Sequence, residues 1–193
     1  MSGAHADGRS MLERMRAGDP YRPVGDAELD RMTQRAQQAC LDYNALGPRQ
    51  LDERRRLLDG LLARLGPGSE IRPPFWCDYG VHIAAGERFF ANYGLVVLDG
   101  ARVTIGDRVF LGPHVQILTA SHPTDPGPRG QGWETAHPVT VGDDVWIGGG
   151  AVLCPGVTVG AGSTVGAGSV VTRDIPAGVV AVGNPCRVLR DAA

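Results

Sequence analysis

Six apolar side chains recur at intervals of six near the C-terminus: Val141, Ile147, Leu153, Val159, Val165 and Val171. Neither the 3.6-residue period of an α-helix nor the two-residue period of a strand produces that spacing. Glycine follows four of the six at once (Gly142, Gly148, Gly160, Gly166), and four residues after each of the first five stands a small or β-branched residue: Val145, Ala151, Val157, Ser163, Ser169. A six-residue unit cannot bury its own apolar side chain. Such units must stack, and the expected fold is mainly β, a parallel β-helix that takes one apolar residue per repeat into its interior.

The period extends upstream in two shorter runs. Ile105, Leu111 and Ile117 keep it, with Gly106 and Gly112 behind the first two, and Ile83, Phe89 and Leu95 form a looser first run. Two interruptions separate the runs. One lies between Leu95 and Ile105; the other lies between Ile117 and Val139, is rich in proline and glycine and has no apolar period. The second predicts an excursion loop over residues 118–138 that leaves the coil. Long loops on rigid scaffolds concentrate function.

Ahead of the repeats, Asp26 reads as an N-cap, and Leu29, Met32, Ala36, Cys40 and Tyr43 follow helical spacing until Gly47-Pro48. A second helix is predicted from Asp52 to Leu65, with Leu51, Leu58, Leu61, Leu62 and Leu65 as its apolar stripe and Gly66-Pro67-Gly68 as its stop. Because a repeat array needs a closed end, this pair reads as a helical cap on the first coil. The chain divides into a tail and cap over residues 1–70 and a β-helix over 71–193.

Composition narrows the class. With 193 residues, 42% apolar content and no apolar run of membrane-spanning length, a single globular unit without a membrane segment is expected. The N-terminus MSGAHADGRS lacks the apolar stretch of a secretory signal, so a cytoplasmic location is expected. A net charge of -2 argues against nucleic acid as a partner. Cys40, Cys77, Cys154 and Cys186 show no CxxC spacing and read as reduced cysteines, with no metal.

Five histidines, His5, His82, His114, His122 and His137, are available for proton transfer. His5 sits in the tail, while His82 and His114 fall on coils as outward side chains. His122 falls in the excursion as ASHPTDP, where a packed histidine is unexpected; imidazole is the side chain suited to exchanging a proton near neutral pH. Glu134 shares that excursion and is a candidate to hold the imidazole in the right tautomer.

The stretches CDYG from Cys77, FFANY, LVVLD, VTIGD, TASHPTDP, VWIGGGAVLCPGVTVG, VVTRDIP and GNPCRVLR occur in order over nearly the whole chain. Together they resemble the maltose and galactoside O-acetyltransferase family of hexapeptide-repeat acetyltransferases, and the helix pair and RAGDPY with Tyr21 resemble its N-terminal region. The resemblance implies a left-handed β-helix, acetyl-CoA as co-substrate, a small-molecule sugar acceptor and a homotrimer with active sites between subunits. It implies His122 as the catalytic base and Asn92 as the residue that orients acceptor and histidine. It also implies a coenzyme site of Trp146, Gly149, Ala167, Thr172, Arg173, Arg187 and Arg190. Coenzyme A carries several phosphate charges, and arginine makes forked contacts to phosphate.

Departures from the pattern bear on the acceptor. Galactoside enzymes carry aspartates where this chain has Pro23 and Gly100, whereas Asp78 resembles the maltose branch. A glucosyl or maltosyl acceptor is therefore expected, bound by Tyr21, Asn92 and one of the carboxylates Asp78, Asp99 or Asp26. Acetylation of another hydroxyl-bearing small molecule and a scaffold protein without catalysis are the alternatives. A trimeric carbonic anhydrase needs three histidines around a metal, and the spacing of His114 and His122 offers no third.

Overall fold

The computed structural model describes residues 8–192. His5 lies outside the described residues. Three parallel sheets form the faces of a prism. The first face stacks Arg64–Leu65, Ile83–Ala85, Val103–Ile105, Val139–Val141 and Thr158–Val159. The second stacks Glu70–Ile71, Phe90–Ala91, Phe110–Leu111, Trp146–Ile147, Thr164–Val165 and Val179–Val182, and Arg187–Asp191 closes it antiparallel. The third stacks Phe75–Cys77, Leu95–Leu98, Gln116–Leu118, Val152–Leu153 and Val170–Val171.

Register corrects one reading of the sequence. Ala85, Ala91 and Val97 pair with Ile105, Leu111 and Ile117, and these with Val141, Ile147 and Leu153. Ile83, Phe89 and Leu95 therefore belong to a second inward position two residues earlier, where later coils carry Val139, Val145 and Ala151, then Val157, Ser163 and Ser169. All of these are buried, because residues two apart on a strand share a face. Size is traded between the two positions. The fully buried Phe89 sits beside the small Ala91, while Ile147 and Leu153 sit beside Val145 and Ala151. Coils also touch closely: a Cβ on Gly148 would lie 2.4 Å from the Ala167 backbone nitrogen, so this position takes no side chain.

In the corrected register, Cys77 and Ala85 are eight residues apart, as are Val97 and Ile105, while Ile117 and Val141 bracket the long excursion. All three insertions fall on one edge of the prism, between the third and first faces. The excursion is more ordered than a loop: Ala120–Ser121 pairs antiparallel with Thr135–Ala136, and a short helix, Pro126–Gly130, crosses its tip.

The N-terminal part holds three helices: α1 (Met11–Ala17), α2 (Ala27–Ala45) and α3 (Leu51–Leu61). Asp26 caps α2 through its side chain, accepting from Glu28 and Leu29 N–H. Ala36, Cys40 and Tyr43 of α2 and Leu58 and Leu61 of α3 join the core of the first coil, and the Tyr43 hydroxyl donates to the Ile71 carbonyl. The helix pair thus closes the apolar end of the stack. The second helix stops at Leu61 rather than Leu65; Arg64–Leu65 is already the first strand, so the β-helix begins before residue 70. Leu51, assigned to the apolar stripe, is 61% exposed because it stands in the first turn, beyond the coil. The short α1 carries a capping box, Ser10 with Glu13, and ends at Gly18 in the left-handed region. No helix among the described residues is long and apolar enough to cross a membrane.

Candidate active site

The edge carrying the three insertions is organised by a buried carboxylate. Asp99 is fully buried; its Oδ1 accepts from the Asp78 and Tyr79 N–H groups at 3.1 and 2.9 Å, and its Oδ2 accepts from His82 N–H at 3.3 Å. These bonds fix the turn that follows Cys77. His82 Nδ1 lies 2.7 Å from the Asp99 carbonyl, and since a carbonyl only accepts, Nδ1 carries the proton. Two expectations are corrected here. Asp99 is unreachable for an acceptor because it is sealed under its own turn, and His82 faces into the corner rather than outward, with its Nε2 buried and unpartnered. Asp26 is likewise committed to capping α2.

His122 stands on the excursion ribbon just beyond Ser121, its side chain 55% exposed. Its Nδ1 is 3.1 Å from the Trp133 carbonyl, two residues ahead of the opposing strand, so Nδ1 donates and Nε2 keeps a lone pair. The Glu134 carboxylate lies 3.8 Å from Nε2, beyond hydrogen-bond range, and is only 14% exposed. Glu134 therefore does not set the tautomer; the Trp133 carbonyl does. The carboxylate instead waits on the side where a proton would arrive.

Tyr21 joins the N-terminal segment to this ribbon. Its N–H donates to the Glu134 carbonyl and its carbonyl accepts from Glu134 N–H, at 3.0 and 2.9 Å. The ring is fully buried, and burial together with the neighbouring Glu134 carboxylate pushes its phenol well above the ordinary range. A Cβ on Gly100 would fall 2.7 Å from the Tyr21 hydroxyl. The place a side chain at residue 100 would occupy is filled by this phenol.

Between α2, the Cys77 turn and the ribbon lies a cavity of about 380 Å³, lined by Pro23, Asp30, Gln34, Asp78, Tyr79 and Glu134 among others. Burial, with the Asp99 and Glu134 charges nearby, pushes the Asp78 carboxyl up to about 7. Folded Asp78 thus holds its proton to higher pH than the unfolded chain does. Its contribution favours folding below about pH 4 and is lost as pH rises toward about 7. On going from pH 4 to 7.5, the melting temperature of the wild type is expected to fall relative to that of Asp78→Asn. Parallel pH curves for the two proteins would contradict this placement of charge.

The remaining residues assigned from the sequence are divided among edges. Asn92 opens the turn between the second and third faces, its Oδ1 accepting from Tyr93 N–H at 2.8 Å. Gly149 and Ala167 lie on that same edge, where Gly150 N–H donates to the Pro113 carbonyl and Gly168 N–H to the Gly149 carbonyl. Thr172 and Arg173 are exposed on the His122 edge, one coil beyond Cys154. Trp146 stands 57% exposed on the second face, and Arg187 and Arg190 are exposed on the closing strand. One chain therefore does not bring Asn92 and His122 together. His114 is exposed on a coil turn, as expected. Sequence reasoning missed the Trp133 carbonyl and the closure of residue 100 by Tyr21. Among the described residues no three His, Cys, Asp or Glu side chains form a metal set.

Two family models match this layout: the maltose acetyltransferase hexapeptide capping motif over residues 14–66, and the bacterial transferase hexapeptide model, six repeats, over 138–173. The galactoside O-acetyltransferase of Escherichia coli K12 is 38% identical over 94% of this chain and 89% of its own. The chain belongs to the galactoside and maltose O-acetyltransferase family. It is an acyltransferase of the hexapeptide-repeat class. The crystal structure of a maltose O-acetyltransferase from Clostridium difficile 630 superposes with a TM-score of 0.94 at 40% identity, over 96% of this chain and 98% of that one. A hexapeptide-repeat acetyltransferase from Vibrio cholerae O1 biovar eltor, solved with acetyl coenzyme A, superposes at 0.88 with 39% identity, over 96% of this chain and all of that one.

Proposed function

We propose that this acetyltransferase moves the acetyl group of acetyl-CoA onto a sugar hydroxyl, with glucosyl or maltosyl acceptors preferred, and works in the cytoplasm as a homotrimer. The observation that carries the chemistry is His122: exposed, on the ribbon, its Nδ1–H held by the Trp133 carbonyl and its Nε2 lone pair open. As the acceptor oxygen attacks the thioester carbonyl carbon, its proton passes to Nε2. The imidazolium then faces Glu134, whose carboxylate stabilises the new charge. When the carbon–sulfur bond breaks, Nε2 returns the proton to the leaving thiolate, giving an acetyl ester and free coenzyme A. The Gly148 and Gly150 N–H groups do not serve the oxyanion, because they donate to the Val165 and Pro113 carbonyls.

Acceptor preference follows from the corner. Pro23 and Gly100 offer no carboxylate, Tyr21 fills the space beside Gly100, and Asp78 lines the cavity together with Asp30 and Glu134. Separation of Asn92, Gly149 and Ala167 from His122, Thr172 and Arg173 supports a shared site, because threefold closure sets one edge of a chain against a different edge of its neighbour. In that cleft Arg173, Arg187 and Arg190 serve the coenzyme phosphates and Trp146 packs on its body. The helical cap and the coils that begin at Arg64–Leu65 act as one unit in this arrangement.

Thiol release from acetyl-CoA tests both parts in one assay. Glucose and maltose are expected to turn over faster than a galactoside, and inactive His122→Ala and Asn92→Ala chains, unfolded and refolded together, are expected to recover activity. Mixed particles that stay inactive would place both residues in one chain's site, and no thiol release with any sugar would remove the reading.

A further inference from the structure

The ribbon that carries His122 is paired over only two residues on each side, Ala120–Ser121 with Thr135–Ala136. His122, Trp133 and Glu134 lie beyond the last pair, and a two-stranded ribbon that short is marginal in water by itself. Order beyond the pairing comes from the N-terminal segment. Tyr21 bridges Glu134 antiparallel, exchanging both backbone hydrogen bonds with it. Backbone groups of successive residues in an extended chain point to opposite edges, so this bridge turns the Trp133 carbonyl the other way, toward His122. Carried on by one residue, the same register sets Arg22 across from Trp133 with both side chains on one face. The Arg22 guanidinium lies 5.0 Å from the centre of the indole ring. Trp133 is 6% exposed yet belongs neither to the coil core nor to the cluster of Leu12, Met15, Tyr21 and Leu29, and the guanidinium is part of what covers it. Arg22 N–H donates to the Met11 sulfur at 3.4 Å, which ties this segment to α1.

We propose that Arg22 is a positioning residue for acetyl transfer: by holding the Trp133 ring it holds the Trp133 carbonyl against Nδ1 and keeps the lone pair on Nε2. This rests on His122 as the base. A neutral imidazole has one proton, and the tautomer is set by the hydrogen bond that proton makes. Two acceptors compete for it here. The Trp133 carbonyl lies 3.1 Å from Nδ1, and the Glu134 carboxylate lies 3.8 Å from Nε2. If the carbonyl swings away, the proton moves to Nε2 and donates to Glu134, and no lone pair is left to receive the proton of the acceptor hydroxyl. The cation on the indole face therefore biases the ribbon toward the reactive tautomer without touching the reacting atoms.

The test reads the tautomer by ¹⁵N NMR of histidine-labelled protein at a pH where the imidazole is neutral, with the His122 signals assigned by their loss in His122→Gln. In Arg22→Ala the ratio of Nδ1–H to Nε2–H is expected to fall about 2- to 5-fold, the worth of an exposed cation–π contact. With maltose as acceptor, kcat is expected to fall with it while the acetyl-CoA KM stays. Arg22→Lys keeps a cation over the ring and should restore most of both. In a Trp133→Leu background, Arg22→Ala should add nothing. Arg22 is exposed, so its own variants carry the test even where Trp133→Leu folds poorly. An unchanged tautomer in Arg22→Ala, or an equal loss with and without the indole, would overturn the assignment; the tautomer is read on the protein alone and decides this whether or not maltose is turned over. A shifted tautomer at unchanged kcat would leave the positioning standing and remove His122 as the base.

Discussion

Asp99→Ala is expected to destabilise the protein by about 3 to 5 kcal/mol, more than most single substitutions. The alanine leaves the N–H groups of Asp78, Tyr79 and His82 without their acceptor, Tyr79 in a buried and the other two in a partly buried place. Each buried donor stranded in this way costs about 1 to 3 kcal/mol. The loss should reach the site as well. The turn those amides fix carries Asp78 to its cavity and His82 to the Asp99 carbonyl, so the variant should lose acceptor affinity even where it remains folded. Asp99→Asn keeps one carbonyl oxygen for Asp78 and Tyr79 but turns an amide nitrogen toward His82 N–H, and is expected to fall between the two. Urea unfolding of the three proteins at one concentration measures the series. An alanine variant within about 0.5 kcal/mol of the wild type, the range of ordinary surface changes, would show that the corner does not depend on this carboxylate.

Much of the architecture was legible because a period of six has few structural explanations. Val141 through Val171 define the coils, and all six point inward. The first run was harder to read for a physical reason. Each strand buries residues two apart, so Phe89 and Ala91 both satisfy the pattern, and the larger side chain draws the assignment while the smaller one holds the register. With the register two residues off, the paired insertions after Cys77 and Val97 could not be seen to share an edge with the excursion, and the corner stayed hidden. Ser10 with Glu13 was a visible signature of α1 that went unread.

The site shows the same division. His122 stood out because imidazole on a proline-rich excursion has few structural reasons to be there. Its tautomer is set by a backbone carbonyl, and no residue type in the sequence marks a carbonyl that lies across a ribbon. Glu134 looked like the orienting group by proximity in the chain, yet the antiparallel pairing of Ser121 with Thr135 puts it on the Nε2 side. Gly100 looked like the loss of a carboxylate. The Tyr21 hydroxyl in its place comes from a segment about eighty residues away, a contact only the folded chain reveals.

His122→Ala carries the largest expected effect on activity, a fall in kcat of about 10²- to 10⁴-fold, the usual worth of a positioned acid–base group. The hydroxyl of a sugar holds its proton far above neutral pH, so attack on the thioester waits for a base, and neither His82 nor His114 can replace His122 there. His82 has its Nε2 sealed inside the corner, and His114 sits on a coil turn of the edge that carries Asn92 and Gly149. His114→Ala is expected to keep most activity. Of the residues proposed for the coenzyme, Trp146, Gly149, Ala167, Arg187 and Arg190 lie off the imidazole's edge and Thr172 and Arg173 lie two coils further along it, so acetyl-CoA affinity should change little when the imidazole is removed.

The measurement that bears most directly on this account is kcat together with the acetyl-CoA Kd for wild type, His122→Ala and His114→Ala with one saturating sugar acceptor. The account predicts a collapse of kcat at nearly constant Kd in the His122 variant alone. Near-normal turnover in that variant would contradict it, because the ribbon would then carry no base.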